Sequence, residues 1–117
     1  MRKWHGVRKF LIIDLDAHQG NGHERDLGDD PEVHIIDAYN PYIYPGDVVA
    51  DEKIGTRIHV SHLDDDDSYF RKLTSGIPKV FENFRPDFVI YNAGTDCMAN
   101  DPLGGMNLSN EMIVRRD

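Results

Sequence analysis

The sequence predicts an α/β fold on a mainly parallel sheet, and three observations carry that expectation. The runs KFLIIDL (9–15) and DFVIYNAG (87–94) are apolar without alternating, as in strands covered on both faces. Between them, Phe70, Leu73, Ile77, Phe81 and Phe84 recur at three- and four-residue spacing, the stripe of an amphipathic helix. The order strand, crossover, strand, helix, strand is the rhythm of an α/β domain.

Taken in order, 9–15 is the first buried strand, and NGHERDL after a glycine-rich turn is a short helix. EVHIIDAY (32–39) is a second β-rich run ending on an acid, Asp37. NPYIYPGD, with two prolines and a glycine, reads as a loop. IHVSHL (58–63) alternates and suits a short edge strand. The run Asp64 to Asp67 precedes the helix, where acids favour its positive end, so a solvated helix start outweighs a calcium site. Pro78 lacks an N–H and is expected to kink or split that helix. Residues 87–94 form a third buried strand, and the polar tail after Gly105 is assigned no element. So few strands make a thin sheet, and the 117 residues are expected to form only part of a larger one.

Composition narrows the function. Acids outnumber bases by 21 to 13, a net charge of −8, which argues against a general binder of nucleic acid backbone. One cysteine, Cys97, allows no internal disulfide. No apolar run is long enough to span a bilayer, and no basic cluster reads as a nuclear address.

Chemistry gathers at two strand ends. In LIIDLDAHQGNGHERD, Asp14, Asp16 and His18 stand at every second position, so continued extension would put them on one face. Open α/β sheets place ligands at the carboxyl ends of their strands. Two adjacent carboxylates repel, and a cation removes that cost; carboxylate plus imidazole is a normal zinc set. Gly20 and Gly22 allow a tight turn and close backbone approach just beyond. In YNAGTDCMANDPLGG, Asp96 follows another strand and a glycine turn, and a parallel neighbour would bring it to the same edge. Turn capping by each acid is the plainer reading taken singly. Two acid-bearing strand ends in one short chain weaken it.

These two motifs resemble the zinc-dependent histone deacetylase family of the arginase/deacetylase superfamily. DLDAHQGNGHERD is similar to its D-x-D-x-H-x-G-x-G signature, and YNAGTD with DPLGG to its third-ligand segment. The wording looks closest to the class IV branch. The resemblance implies a three-layer α/β/α arginase/deacetylase fold, with residues 1–117 a partial domain. It assigns zinc to Asp16, His18 and Asp96, and a structural potassium or other monovalent cation to Asp14 and Asp37. Asp101 falls near the pocket, and Leu103, Gly104 and Gly105 resemble the segment that helps form the acyl-lysine tunnel. Ureohydrolases of the superfamily carry a second-metal acid where this chain has Gly20, which favours one zinc and an amide hydrolase.

The implied activity is hydrolysis of acyl-lysine on a histone or other protein by metal-activated water, in nucleus or cytoplasm. The family's general base is a His-His pair upstream of the zinc strand, and its oxyanion donor a tyrosine downstream. His5 is the single histidine before Asp14, and all five tyrosines precede Asp96. No catalytic residue is therefore assigned. The chain is expected to be the central, metal-binding section of a deacetylase domain and to be catalytically silent alone. The alternatives are a non-catalytic remnant that binds metal or a partner, and a metal-free α/β piece.

Overall fold

The computed structural model describes residues 6–117; His5 lies outside them. Four strands, β1 (Phe10–Asp14), β2 (Val33–Tyr39), β3 (Thr56–His59) and β4 (Phe88–Asn92), form one parallel sheet in the order β3-β2-β1-β4. The helices are α1 (Asn21–Leu27), α2 (Val48–Asp51), α3 (Asp66–Asn83) and α4 (Asn110–Arg116). The α/β class and the mainly parallel sheet are as the sequence predicts.

Register explains why the central strands look uniformly apolar. Ile13 lies beside Ile36 and Asp14 beside Asp37, so neighbouring strands present matched faces. Leu11, Ile13, Leu15, Ile36, Ala38 and Ile58 pack against Tyr69, Leu73 and Val80 of α3 and Met112 and Ile113 of α4. The opposite face carries Ile12 and Ile35, then Asp14 at the end of β1 and Asp37 beside it, two residues before the end of β2. Burying an aliphatic side chain such as Leu11, fully covered here, is worth about 1.5–3 kcal/mol.

Several expectations need correction. β4 is present, but it is not buried: Phe88, Val89, Ile90 and Tyr91 are 36–45% exposed. It lies at the sheet edge with β1 as its partner, so an apolar run did not mean two-sided cover. β3 begins at Thr56, two residues before the expected Ile58. Pro78 neither splits nor ends α3, which runs unbroken from Asp66 to Asn83. Leu73 and Ile77 before the proline and Val80 and Phe84 after it dock on the same sheet face, and this packing outweighs one missing backbone bond. Val80 takes the core position expected for Phe81, which is 42% exposed.

The acidic run is more than solvated. Asp65 caps α3 by accepting from Ser68 N at 2.8 Å, while Asp64 is buried and pairs with Lys72 Nζ at 2.7 Å. The tail forms α4, started by Ser109, whose Oγ accepts from Met112 N at 3.0 Å. Asp66 holds that cap in place by accepting from Ser109 N at 2.9 Å and Oγ at 2.5 Å.

Candidate metal centre

β1 and β4 are adjacent and parallel, so the loops leaving their carboxyl ends start side by side; Leu15 N donates to Asn92 O at 3.1 Å. The first loop carries Asp16 and His18, the second Asp96. Extension does not continue past Leu15. The chain bends at 16–18, with Asp16 N donating to Asp14 Oδ1 at 3.0 Å and His18 N to Asp16 Oδ1 at 2.8 Å. Asp14 therefore does not line up with Asp16 and His18, and the expectation of one shared face is corrected: short acids bonding the backbone two residues on make a turn.

The bend brings Asp16, His18 and Asp96 together. One ligand atom from each lies within 4.8 Å of the others. His18 Nδ1 is 2.6 Å from Asp96 Oδ2 and 3.4 Å from Asp16 Oδ1. Asp96 Oδ1 accepts from Ala17 N at 2.7 Å, which fixes the carboxylate against the first loop. All three side chains are partly covered, 21–33% exposed, so the cluster is open on one side. Burial raises the Asp16 carboxyl above its ordinary range, the bond from the His18 backbone pulls it back, and the Asp96 charge raises it again. Two carboxylates and an imidazole nitrogen converging on a half-open point form a donor set that fits a divalent cation such as zinc.

Backbone proximity makes this possible. A Cβ on Gly94 would lie 2.7 Å from Asp16 Oδ2 and 2.8 Å from Asp16 Cα, so a side chain there would push the two loops apart. Gly104 is packed against the Asp96 carbonyl oxygen with no room for a Cβ. Asp101 orders that approach by accepting from Leu103 N and Gly104 N, both at 2.9 Å, and these bonds hold its carboxyl below the ordinary range. The carbonyls of Gly104 and Gly105 accept from Asn40 Nδ2 at 3.3 Å, while Leu103 stands in solvent.

A second cluster lies on the other side of the bend. Asp14 and Asp37, neighbours in register, are both buried, and α1 adds Glu24, fully buried, and His23. Asp14 Oδ1 accepts from Asn92 Nδ2 at 2.8 Å, and Asp37 Oδ2 from Gly20 N at 2.8 Å. Asp37 Oδ1, Glu24 Oε1 and His23 Nε2 have no hydrogen-bond partner. Burial, then the facing Glu24 carboxyl, pushes Asp37 up to about 10. Facing buried carboxyls with orphaned oxygens call for a shared proton or a cation. Of the two glycines expected to permit this approach, Gly20 does so, since a Cβ there would meet Asp14 Oδ2 at 2.8 Å; Gly22 has open space around it.

The family model "Histone deacetylase domain" matches residues 1–117, the whole chain. The chain belongs to the histone deacetylase family. It is 50% identical over 111 residues to Histone deacetylase 2 of Arabidopsis thaliana, covering 95% of this chain and 29% of that protein. It is 28% identical over 112 residues to Histone deacetylase 10, chloroplastic, of Oryza sativa subsp. japonica, covering 90% of this chain and 25% of that protein. Its fold matches the crystal structure of an HDAC homolog complexed with SAHA, with a TM-score of 0.83 and 27% identity over 97% of this chain and 33% of that one. The chain thus spans between a quarter and a third of these relatives.

In this histone deacetylase chain, sequence reasoning missed Glu24, His23, Gln19 and Asn40. An acid in the first turn of a short helix reads as a surface group that favours the helix dipole. Nothing local marks Glu24 as buried beside Gln19, whose Nε2 donates to it at 2.8 Å. His34 and His59 serve structure, the first 2.9 Å from Thr56 Oγ1 and the second 3.2 Å from the Tyr39 hydroxyl.

Proposed function

We propose that this chain is the metal-holding section of a zinc-dependent protein lysine deacetylase, with Asp16, His18 and Asp96 as the protein ligands. The observation that carries the reading is the convergence of two carboxylates and His18 Nδ1 within 4.8 Å at neighbouring strand ends. Zinc held there supplies Lewis acidity toward an amide carbonyl and lowers the pKa of a water to about 7. The residues of the chain do the holding: the Ala17 and His18 backbone N–H groups orient the Asp96 and Asp16 carboxylates, and His18 would offer Nδ1 to the ion. Asp101 sets the turn that seats Gly104 on the Asp96 backbone; from the family resemblance we assign the 103–105 segment to the border of the acyl-lysine channel.

The substrate class, an acylated lysine on a histone or another protein, follows from the family, as does action in the nucleus or cytoplasm. We assign the class IV branch on the wording of HQGNGHERD and YNAGTD. Asp14 and Asp37, with Glu24 beside them, hold a potassium or similar monovalent cation, a role supported by the orphaned Asp37 and Glu24 oxygens. No helix among the described residues is long and apolar enough to cross a membrane.

A second reading, a metal-binding remnant without turnover, is favoured by one feature. Among the described residues, no histidine pair stands beside the cluster to take a proton from water. We therefore expect the 117-residue chain to bind zinc and to hydrolyse acyl-lysine peptide far more slowly than an intact deacetylase. Zinc stoichiometry tests the site: one ion per chain is expected, falling toward none in Asp16→Ala. Unchanged zinc in that variant refutes the ligand assignment, and turnover comparable to an intact enzyme refutes the silence.

A further inference from the structure

The last helix buries a cation behind the candidate metal centre. Arg116 sits near the end of α4, and its side chain is fully covered. A guanidinium keeps its charge everywhere in a protein and is seldom buried without partners. The partners here are specific. Nε donates to Asp117 Oδ1 at 2.9 Å. Nη1 donates to Leu15 O at 3.2 Å, to Gly94 O at 2.9 Å and to Cys97 Sγ at 3.3 Å. The buried Tyr69 phenol packs alongside; burial raises it well above its ordinary range, and the guanidinium pulls it back.

Those acceptors share one property. Leu15 immediately precedes Asp16, Gly94 lies two residues before Asp96, and Cys97 immediately follows Asp96. One nitrogen thus joins the backbone of the loop carrying Asp16 to the backbone of the loop carrying Asp96. The joint is made where the loops touch, since Gly94 packs directly on Asp16. We propose that Arg116 is a positioning residue of the metal centre, which clamps the two ligand-bearing loops together from behind and fixes the spacing of Asp16 and Asp96. This inference rests on the zinc reading above.

The clamp explains the contrast between two neighbouring arginines of α4. Arg115 lies over the Phe70 ring at 3.9 Å on the outside of the helix, while Arg116 turns inward, its Nη1 reaching two backbone oxygens and the Cys97 sulfur. Lysine could not replace it fully, because an ammonium on a flexible stem has no second, fixed donor like Nε to bond Asp117 while its one nitrogen reaches both carbonyls.

The test is competition for zinc between a chelating dye and the 117-residue chain in four forms: parent, Arg116→Met, Arg116→Lys and Ser109→Ala. Groups that orient metal ligands typically contribute 10–100-fold in affinity, so Arg116→Met is expected to bind zinc about 10–100-fold more weakly. Arg116→Lys is expected to lie between it and the parent. Ser109→Ala loosens the same helix without touching either carbonyl, and is expected to keep the parent affinity. If Arg116→Met fails to fold without metal, the lysine variant decides: parent-like affinity there overturns the clamp. Equal losses in Ser109→Ala and Arg116→Met also overturn it, since docking of the helix would then be the whole effect. Asp16→Ala separates the two claims. If it leaves zinc binding intact, the metal reading fails; if it abolishes binding while both Arg116 variants match the parent, the clamp alone fails.

Discussion

Gly94→Ala tests whether close backbone contact sets the metal centre. The added methyl would sit 2.8 Å from Asp16 Cα and Cβ, and ordinary contact begins at 3.4 Å. Asp16 Cα is backbone and cannot swing aside, so one loop must retreat by about 0.6 Å, where metal–ligand distances tolerate only about ±0.2 Å. The retreat also stretches the Leu15 N–Asn92 O bond, 3.1 Å in the parent, and pulls Gly94 O from Arg116. Overpacking of this kind costs about 1–3 kcal/mol of stability. Zinc affinity is expected to fall at least about tenfold, equivalent to about 1.4 kcal/mol. Gly22→Ala is the matched control, because no heavy atom lies within 4 Å of the position a Cβ would take. Gly22 lies in α1, where alanine should be neutral or stabilise by about 0.4–1 kcal/mol. The assays are thermal melting of the metal-free chain and zinc competition on both variants. Parent-like melting and zinc affinity in Gly94→Ala would refute the reasoning, as would a Gly22→Ala variant that lost as much.

Melting of the metal-free chain should depend on pH with two opposite signs. Asp37, raised by burial to about 10, contributes stability that is fully present below the ordinary carboxyl value of 3.8 and is lost as pH rises toward 10. Melting should therefore fall across that window, and potassium in excess should flatten the fall; a flat profile without potassium would argue against the buried carboxyl pair. Asp47, held at about 2 by its bonds with Arg25, contributes stability that is present above 3.8 and is lost as pH falls through 2. Asp47→Asn should remove that acid-side loss. Ser109→Ala should lower stability by about 0.5–2 kcal/mol through the lost cap of α4, read by chemical denaturation, and a value near zero would show that Asp66 holds the helix without it.

What the sequence made legible follows from local physics. The unalternating runs around Leu11 and Ile36 reported two-sided burial, because packing on both faces leaves no polar position free. The same reading failed at Val89 and Ile90, since hydrophobicity cannot tell a central strand from an edge. The helix over Leu73 and Ile77 was readable from spacing, but its survival through Pro78 was not, because tertiary packing decides it. The convergence of Asp16, His18 and Asp96 was legible from motif and strand placement together. Glu24 and Arg116 were not. A charged residue on a short helix looks the same in sequence whether it faces water or a cluster on another strand.

The spacing of acids along LIIDLDAH has a physical reason in the bend rather than in strand alternation. Asp14 is the last residue of β1, points into the buried face beside Asp37, and spends one oxygen on the Asp16 backbone N–H. That bond turns the chain, so Asp16 leaves the sheet and meets His18 and Asp96 at its open edge. The two acids serve two clusters joined by a single hydrogen bond of 3.0 Å. The carboxyls are thereby divided: Asp14, Asp37 and Glu24 lie inside, against α1, and Asp16 and Asp96 lie at the partly open edge. Replacing Asp14 by alanine removes the acceptor that starts the bend. It should weaken zinc binding although Asp14 lies outside the proposed ligand set. Zinc titration of Asp14→Ala beside Asp37→Ala, which meets that loop only at Gly20 N and not at the bend, checks this. Equal losses in the two would place the effect in the buried cluster as a whole, and no loss in Asp14→Ala would show that the bend forms without it.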